Sequence, residues 1–435
     1  MNHKINKESL ELHKKFKGKI QLASKVPIRN VMDFAYWYSP GVAEPCNLIH
    51  KNPQTVYDFT NKENTIAIIS DGSRVLGLGN IGPEAALPVM EGKSLIFKYL
   101  GGVDAVPICL KTKSSEHFID VVQSLEPNFG GINLEDIAQP GCFSILDKLR
   151  NSMNIPVWHD DQQGTALVVL AGVINSLRLV NKKPKNVKVV LQGVGSANVN
   201  IARMLIFYGI QSENIILIDS HGIITKTNRV SSQNEYKQKW ELSQITNGDQ
   251  ISGNIIEAYK GADLVIALSA PKPGLIKKDY IKAMNSKPIV FACANPLPEI
   301  WPDDAKEAGA FIVGTGRSDF PNQVNNSLGF PGLFRGVLDV RASRITDNMC
   351  IKVAHAIADY ALNDLDSNHI LPSMSEFELF EKEALVAAKT AIEEGLNRIN
   401  LSEEALYKKI HKNLEESRMF FELYNKKLNQ EMNKS

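Results

Sequence analysis

Two pairs of adjacent carboxylates, Glu135-Asp136 in NFGGINLEDI and Asp160-Asp161 in PVWHDDQQGT, are the residues best equipped for chemistry in this sequence. Neighbouring side chains do not share a helix face, so such a pair converges on one point only where the backbone is irregular. Glu135, Asp136 and Asp161 together would offer three hard oxygen ligands. That is the donor set of Mg²⁺ or Mn²⁺, with water and substrate completing an octahedron. Taken pair by pair, the same acids also read as ordinary charge at helix N-termini. Lys93 lies between Gly92 and the apolar run SLIF. Burial there would lower its pKa and make it a general base at neutral pH, whereas a lone lysine is ordinarily a solvated surface charge. Arg74, in a glycine-rich loop, is a candidate bidentate clamp for a carboxylate. Tyr38 precedes the turn Ser39-Pro40-Gly41 and is a candidate proton donor; a tyrosine taken alone more commonly packs its ring and ties its hydroxyl to backbone.

The elements that must position these groups are α/β in character. TIAIIS (65–70) and VDAVPICL (103–110) read as buried strands. A shorter one at 155–158 delivers Asp160 and Asp161 to the start of an apolar helix over 165–179. Carboxylates at a strand end ahead of a helix lie where α/β proteins place ligands. The loop 71–82 carries Gly77-x-Gly79-x-x-Gly82, but no acid closes a following strand. Its glycines are therefore assigned to a substrate pocket and not to a dinucleotide.

From residue 186 the organisation changes. A strand at 187–191 is followed by the turn Gly193-Val194-Gly195-Ser196-Ala197-Asn198, a helix over 199–208, a strand at 214–218 and Asp219. This is a dinucleotide-binding βαβ unit, with pyrophosphate at the helix N-terminus and Asp219 accepting from the adenosine ribose. Asn198 replaces the third glycine, which predicts looser packing of helix on strand. Asp219 repels a 2′-phosphate, so NAD is expected, with Lys226 and Arg229 near enough in sequence to admit NADP. Strands at 264–268, 289–293 and 311–313 extend a doubly wound sheet. Asn295, Asn325 and Asn326 lie in strand-end segments, as partners for a substrate carboxylate or nicotinamide or as turn caps. Helices are expected over 345–362 and 377–397. A last one carries a stripe of Leu406, Ile410, Leu414, Phe421, Tyr424 and Leu428. The division predicted is 1–160 for substrate and metal, 161–345 for the nucleotide in a Rossmann-type sheet, and 346–435 as a C-terminal helical segment.

Composition sets the outer bounds. With 435 residues, 43% hydrophobic and 22% charged, the chain is expected to be a soluble protein of two or three domains. A net charge of +1 gives no electrostatic argument for nucleic acid or an anionic membrane. Five scattered cysteines without CxxC spacing suit the reducing cytoplasm. The charged N-terminus has no apolar signal-peptide core. The apolar run 166–174 is too short to span a bilayer.

These segments together resemble the small, bacterial-type malic enzymes. The resemblance is carried by YSPGVAEPC, DGSRVLGLGNIGPEAALPVMEGK, FGGINLEDI, PVWHDDQQGTA, LQGVGSAN, ANPLPEI and GTGRSDFPNQVNNSLGFPGLFRG. It implies oxidation of L-malate to pyruvate and CO₂ with NAD or NADP and a divalent metal. Under it Tyr38 is the general acid, Lys93 the general base, and Asp160 the lysine's hydrogen-bond partner. Glu135, Asp136 and Asp161 are the metal ligands, Arg74 and Asn326 hold substrate carboxylates, and Asn295 lies near nicotinamide and substrate. It also implies a homodimer, with Tyr38 reaching a neighbour's site. Gln163, Gly141 and Leu297 stand where histidine, arginine and threonine are common, and no phosphotransacetylase-like domain is expected. The rival readings are a sibling activity (malate to lactate with retained NAD, or oxaloacetate decarboxylation) and a catalytically silent nucleotide-binding subunit.

Overall fold

Apolar runs too short to stand alone have paired into two parallel sheets. The structure, a computed structural model, describes residues 2–227 and 236–432. Arg229 and the side chain of Leu428 lie outside the described residues. The first sheet contains β1 (Thr65–Ser70), β2 (Asp104–Cys109), β3 (Gly131–Leu134) and β4 (Val157–His159), in the order β2-β1-β3-β4. The second contains β5 (Val189–Gln192), β6 (Ile215–Asp219), β7 (Gly222–Ile223), β8 (Leu264–Ala267), β9 (Ile289–Ala292) and β10 (Ile312–Thr315). Its order is β10-β9-β8-β5-β6-β7, parallel throughout except that β7 runs antiparallel to β6.

Helices of nine residues or more are α1 (Asn2–Phe16), α2 (Ala43–Lys51), α3 (Pro83–Gly101), α4 (Ser115–Ser124), α5 (Gly141–Ser152), α6 (Thr165–Val180), α7 (Ser196–Tyr208) and α8 (Lys237–Ile245). They are followed by α9 (Phe330–Asp339), α10 (Asp347–Tyr360), α11 (Glu378–Glu393) and α12 (Glu403–Met432). In each sheet the strand order reverses beside the first strand, β1 or β5, and α/β proteins open their ligand crevices at such switch points. Every candidate carboxylate lies at or just past a strand's C-terminal end.

The strand β3 is absent from the sequence reading. GINL is only four residues long and starts with glycine, too brief for a periodicity signal. It forms because it pairs on both sides, with β1 and with β4. Helix α6 is buried along nearly its whole length, and its core contacts reach both sheets. With the irregular turn before it, the stretch Asp160–Val180 is long and apolar enough to cross a bilayer by composition, contrary to the expectation from run length. However, 83% of that window is buried inside the protein, so it is the central core helix.

The C-terminal helices complete the first sheet's core. Phe330 and Phe334 on α9 lie 4.5 and 5.3 Å from Phe97 on α3. A buried Arg335–Asp339 pair ties α9 to Asn64 and to Asn413 of α12. Leu406, Ile410 and Leu414 are buried as the stripe predicts, whereas Phe421 is half-buried and Tyr424 exposed, so the last turns leave the core.

Glu383 on α11 is fully buried, and neither carboxylate oxygen has a partner. Burial holds its pKa well above the carboxylate range, so it is a neutral acid in the fold. A carboxyl whose folded pKa is raised loses stability as pH climbs above its unfolded value. Glu383→Met will therefore stabilise the chain by about 1–3 kcal/mol at pH 8, and by less towards pH 4. Thermal melts across that range check it.

Candidate active site

Parallel pairing of β3 with β4, in the register Leu134↔His159, brings the two acid pairs out of the sheet side by side. Two backbone irregularities then make them converge. Asp136 has φ +54°, the left-handed region that a non-glycine residue occupies at a cost of about 1–3 kcal/mol. Asp160 to Gly164 form one π-type turn before α6. Gly164 is required there, because a Cβ would stand 1.9 Å from Asp160 Oδ1.

Carboxylate oxygens of Glu135, Asp136 and Asp161 lie within 4.8 Å of one another. The Asp136 N–H donates to Asp161 Oδ2 at 2.9 Å, while Asp136 Oδ2 is buried without a partner. Burial, reinforced by Asp161, lifts the Asp136 pKa to about 7. Burial likewise raises Glu135 and Asp161, the latter opposed by Lys93, by the Asp136 N–H and by Arg74. Three crowded carboxylates, two of them buried and sharing a single lysine, fit a hard divalent cation. His159 is buried with neither ring nitrogen hydrogen-bonded, though Nδ1 lies 3.8 Å from Asp161 Oδ2, and burial pushes it down to about 4, so it is neutral.

Lys93 projects from α3 into this cluster. Its Nζ donates to Asp160 Oδ2, lies 3.2 Å from Glu135 Oε1 and sits 4.4 Å above the Phe330 ring. Here the structure corrects the sequence expectation. Burial does push the lysine down, but Asp160, Glu135 and Asp161 more than reverse it, and the group is held charged, above the usual lysine range. A cation bound by the carboxylates would offset part of that charge. The departure at Gln163 is structural: its Oε1 accepts from the His159 backbone N–H at 3.0 Å.

Arg74 is exposed in the loop after β1; its backbone N–H donates to the Asp136 carbonyl at 3.0 Å, and its charge acts on Asp161. The two asparagines separate. Asn325 caps a short turn through Ser327 N–H, whereas Asn326 has its Cβ next to Gly164 in the Asp160 turn. Asn295 is exposed at the end of β9, and its carbonyl meets Gly77 of the glycine loop across the crevice. Tyr38 is solvent-exposed (72%) and makes no contact of its own with the cluster's hydrogen-bond network.

In the second sheet Gly193 (φ +89°) turns the chain where a Cβ would stand 2.7 Å from the Leu268 carbonyl. Gly195 faces open space and caps α7, which starts at Ser196 and Ala197. Asn198 does not loosen the packing as expected. It is buried, and its Nδ2 donates to the carbonyls of Gln192 (3.1 Å) and Gly193 (2.6 Å), tying helix to strand end. Asp219 stands at the end of β6, with Oδ1 accepting from His221 N–H and Oδ2 paired with Lys239 of α8. Sequence reasoning misses Lys239: it follows the acid by 20 residues, with no motif to mark it. Lys226 is exposed, and its backbone binds Gln250.

Known proteins resemble this chain in sequence and in fold. Residues 17–150 match the family model described as malic enzyme, N-terminal domain, and residues 162–392 match malic enzyme, NAD binding domain. The bifunctional malic/malolactic enzyme of Bacillus subtilis is 47% identical over 94% of this chain and 98% of its own. The NAD-dependent malic enzyme of Geobacillus stearothermophilus is 46% identical over 88% of this chain and 78% of its own. A crystal structure of an Entamoeba histolytica malic enzyme superposes with a TM-score of 0.94 at 43% identity, covering 97% of this chain and 89% of that one. Matched by both family models and by relatives along nearly its whole length, this chain belongs to the malic enzyme family.

Proposed function

We propose that the Lys93 cluster catalyses the oxidative decarboxylation of L-malate to pyruvate and CO₂ with reduction of NAD(P). The carrying observation is the lysine held between Asp160 and three carboxylates suited to a divalent cation. The chain is an oxidoreductase that binds NAD(P), with malate as its small-molecule substrate. Residues 1–160 serve substrate and metal, 161–345 the nucleotide, and 346–435 buttress the first part. The five free thiols suit the cytoplasm.

Glu135, Asp136 and Asp161 would hold Mg²⁺ or Mn²⁺, which would supply Lewis-acid polarisation of the substrate, and the nicotinamide would supply the hydride acceptor. The rest falls to the chain. Arg74 and Asn326 bind the substrate carboxylates and fix malate against Lys93. Lys93, in its neutral form once a cation offsets the carboxylates, takes the C2 hydroxyl proton as hydride leaves, and Asp160 stabilises the ammonium that forms. Loss of CO₂ leaves an enolate, which Tyr38 protonates at C3.

Tyr38 belongs to a segment that exposes Val31, Met32, Phe34, Tyr36 and Trp37. Contiguous exposed apolar residues of this kind mark an interface. We assign it to a homodimer in which each Tyr38 serves the other subunit's site. Mixing unfolded Tyr38→Phe and Lys93→Ala chains and refolding them together will restore about a quarter of native activity, since each hybrid dimer regains one intact site. No restoration would place Tyr38 in its own chain's site.

The cofactor preference proposed is NAD, with NADP admitted by Lys239. The lysine neutralises Asp219 and sets a cation beside the position of the 2′-oxygen. Lys239→Gln will lower kcat/KM for NADP by about tenfold to a hundredfold and leave that for NAD within about threefold. Equal losses with both cofactors would reduce Lys239 to a structural tie.

A further inference from the structure

Asn133 on β3 and Trp158 on β4 are direct register partners, and both are fully buried. Residues two apart on a strand face the same way. Although the carboxylates two positions on lie just past the strand ends, each of these side chains still reaches the one that follows it. Asn133 Nδ2 donates to Glu135 Oε2 at 2.9 Å, and Trp158 Nε1 donates to Asp160 Oδ1 at 3.1 Å. In both cases the other carboxylate oxygen faces the Lys93 ammonium. Phe334 packs edge-on against the Trp158 ring, with centroids 6.5 Å apart, fixing the indole in turn.

We propose that Asn133 and Trp158 form a rank of two donors behind the site, positioning residues that aim Glu135 and Asp160 at Lys93. The two donors serve different ends. Trp158 acts on a carboxylate that orients the base and binds no metal, so its loss disturbs turnover. Asn133 acts on a carboxylate in the ligand set, so its loss disturbs metal affinity as well. The proposal rests on the assignment of Lys93 as base and Glu135 as ligand.

Trp158→Phe removes the N–H while keeping an aromatic ring, though a smaller one; Asn133→Leu keeps the volume and removes the amide. Trp158→Phe will lower kcat about tenfold to a hundredfold, with KM for malate and the Kd for Mn²⁺ unchanged within about threefold. Asn133→Leu will weaken Mn²⁺ binding about tenfold or more, read as free Mn²⁺ by electron paramagnetic resonance on protein without malate or nucleotide. Unchanged kcat in Trp158→Phe overturns the proposal, as does loss of kcat and Mn²⁺ affinity in equal proportion in both variants. Should either variant fail to fold, the chain labelled with ¹⁵N at its indoles tests the Trp158 contact without altering that residue. One indole resonance will move when Asp160 is changed to Asn, and four unmoved resonances would sink the contact. A dead Lys93→Ala beside a fully active Trp158→Phe overturns the positioning role alone, whereas a fully active Lys93→Ala overturns the assignment beneath it.

Discussion

Lys93→Ala will lower kcat by about 10³-fold or more while leaving the Kd for NAD within about threefold. The chemistry needs a base at the C2 hydroxyl, and Lys93 is the buried amine in the cluster, held by Asp160 and Glu135 and lying over Phe330. The nucleotide groups, Gly193, Gly195 and Asp219, belong to the second sheet and its first crossover helix. Arginine will not rescue the activity, because a guanidinium does not give up its proton. Removing the lysine also leaves two buried carboxylates without their cation, which destabilises the metal-free chain. Steady-state rates with saturating Mn²⁺, beside a fluorescence titration of NAD, separate the chemical effect from the stability effect. Unchanged turnover would refute the assignment of the base.

Asp136→Asn is the second large effect, and its sign depends on the metal. In the fold this carboxyl is lifted to about 7, well above its ordinary range, so the folded chain binds more protons than the unfolded one between about pH 4 and 7. Stability drawn from the group is therefore present below about pH 4 and lost as pH rises through 7. Asparagine does not titrate. Without metal, the variant will be the more stable protein at pH 8, and its advantage will shrink towards pH 4. Mn²⁺ will reverse the order, because ligand binding stabilises the native chain by mass action while the variant has lost a ligand. Its Mn²⁺ affinity will fall about a hundredfold or more, and turnover with it. Melts at pH 5 and 8, with and without Mn²⁺, test this directly; an Asn variant that Mn²⁺ stabilises as strongly as the native chain would remove Asp136 from the ligand set.

The nucleotide half is the more legible part of the sequence. A tight glycine turn, the helix after it and an acid closing the next strand are local signals, and β5, α7 and β6 form where they point. The site's residue types are legible too, since hard ligands and a lysine define a narrow chemistry. What escapes is mostly nonlocal. The strand GINL exists because β1 and β4 flank it, and no property of its four residues says so. The lysine's burial follows from the apolar run beside it, but the net direction of its pKa depends on carboxylates that arrive from β3 and β4, distant in sequence. Lys239 meets Asp219 only through the placement of α8. Asn198 shows the opposite failure: the substitution is plain in the sequence, but its amide gives the strand end two hydrogen bonds that a glycine cannot make.

The most direct test of the central claim is the absorbance of reduced nicotinamide with L-malate and Mn²⁺, in parallel with NAD and NADP, with pyruvate assayed in the same samples. The arrangement around Lys93 predicts reduced cofactor and pyruvate in equal amounts, both abolished by a chelator. Lactate without reduced cofactor, or bound NAD with no turnover at all, would contradict it.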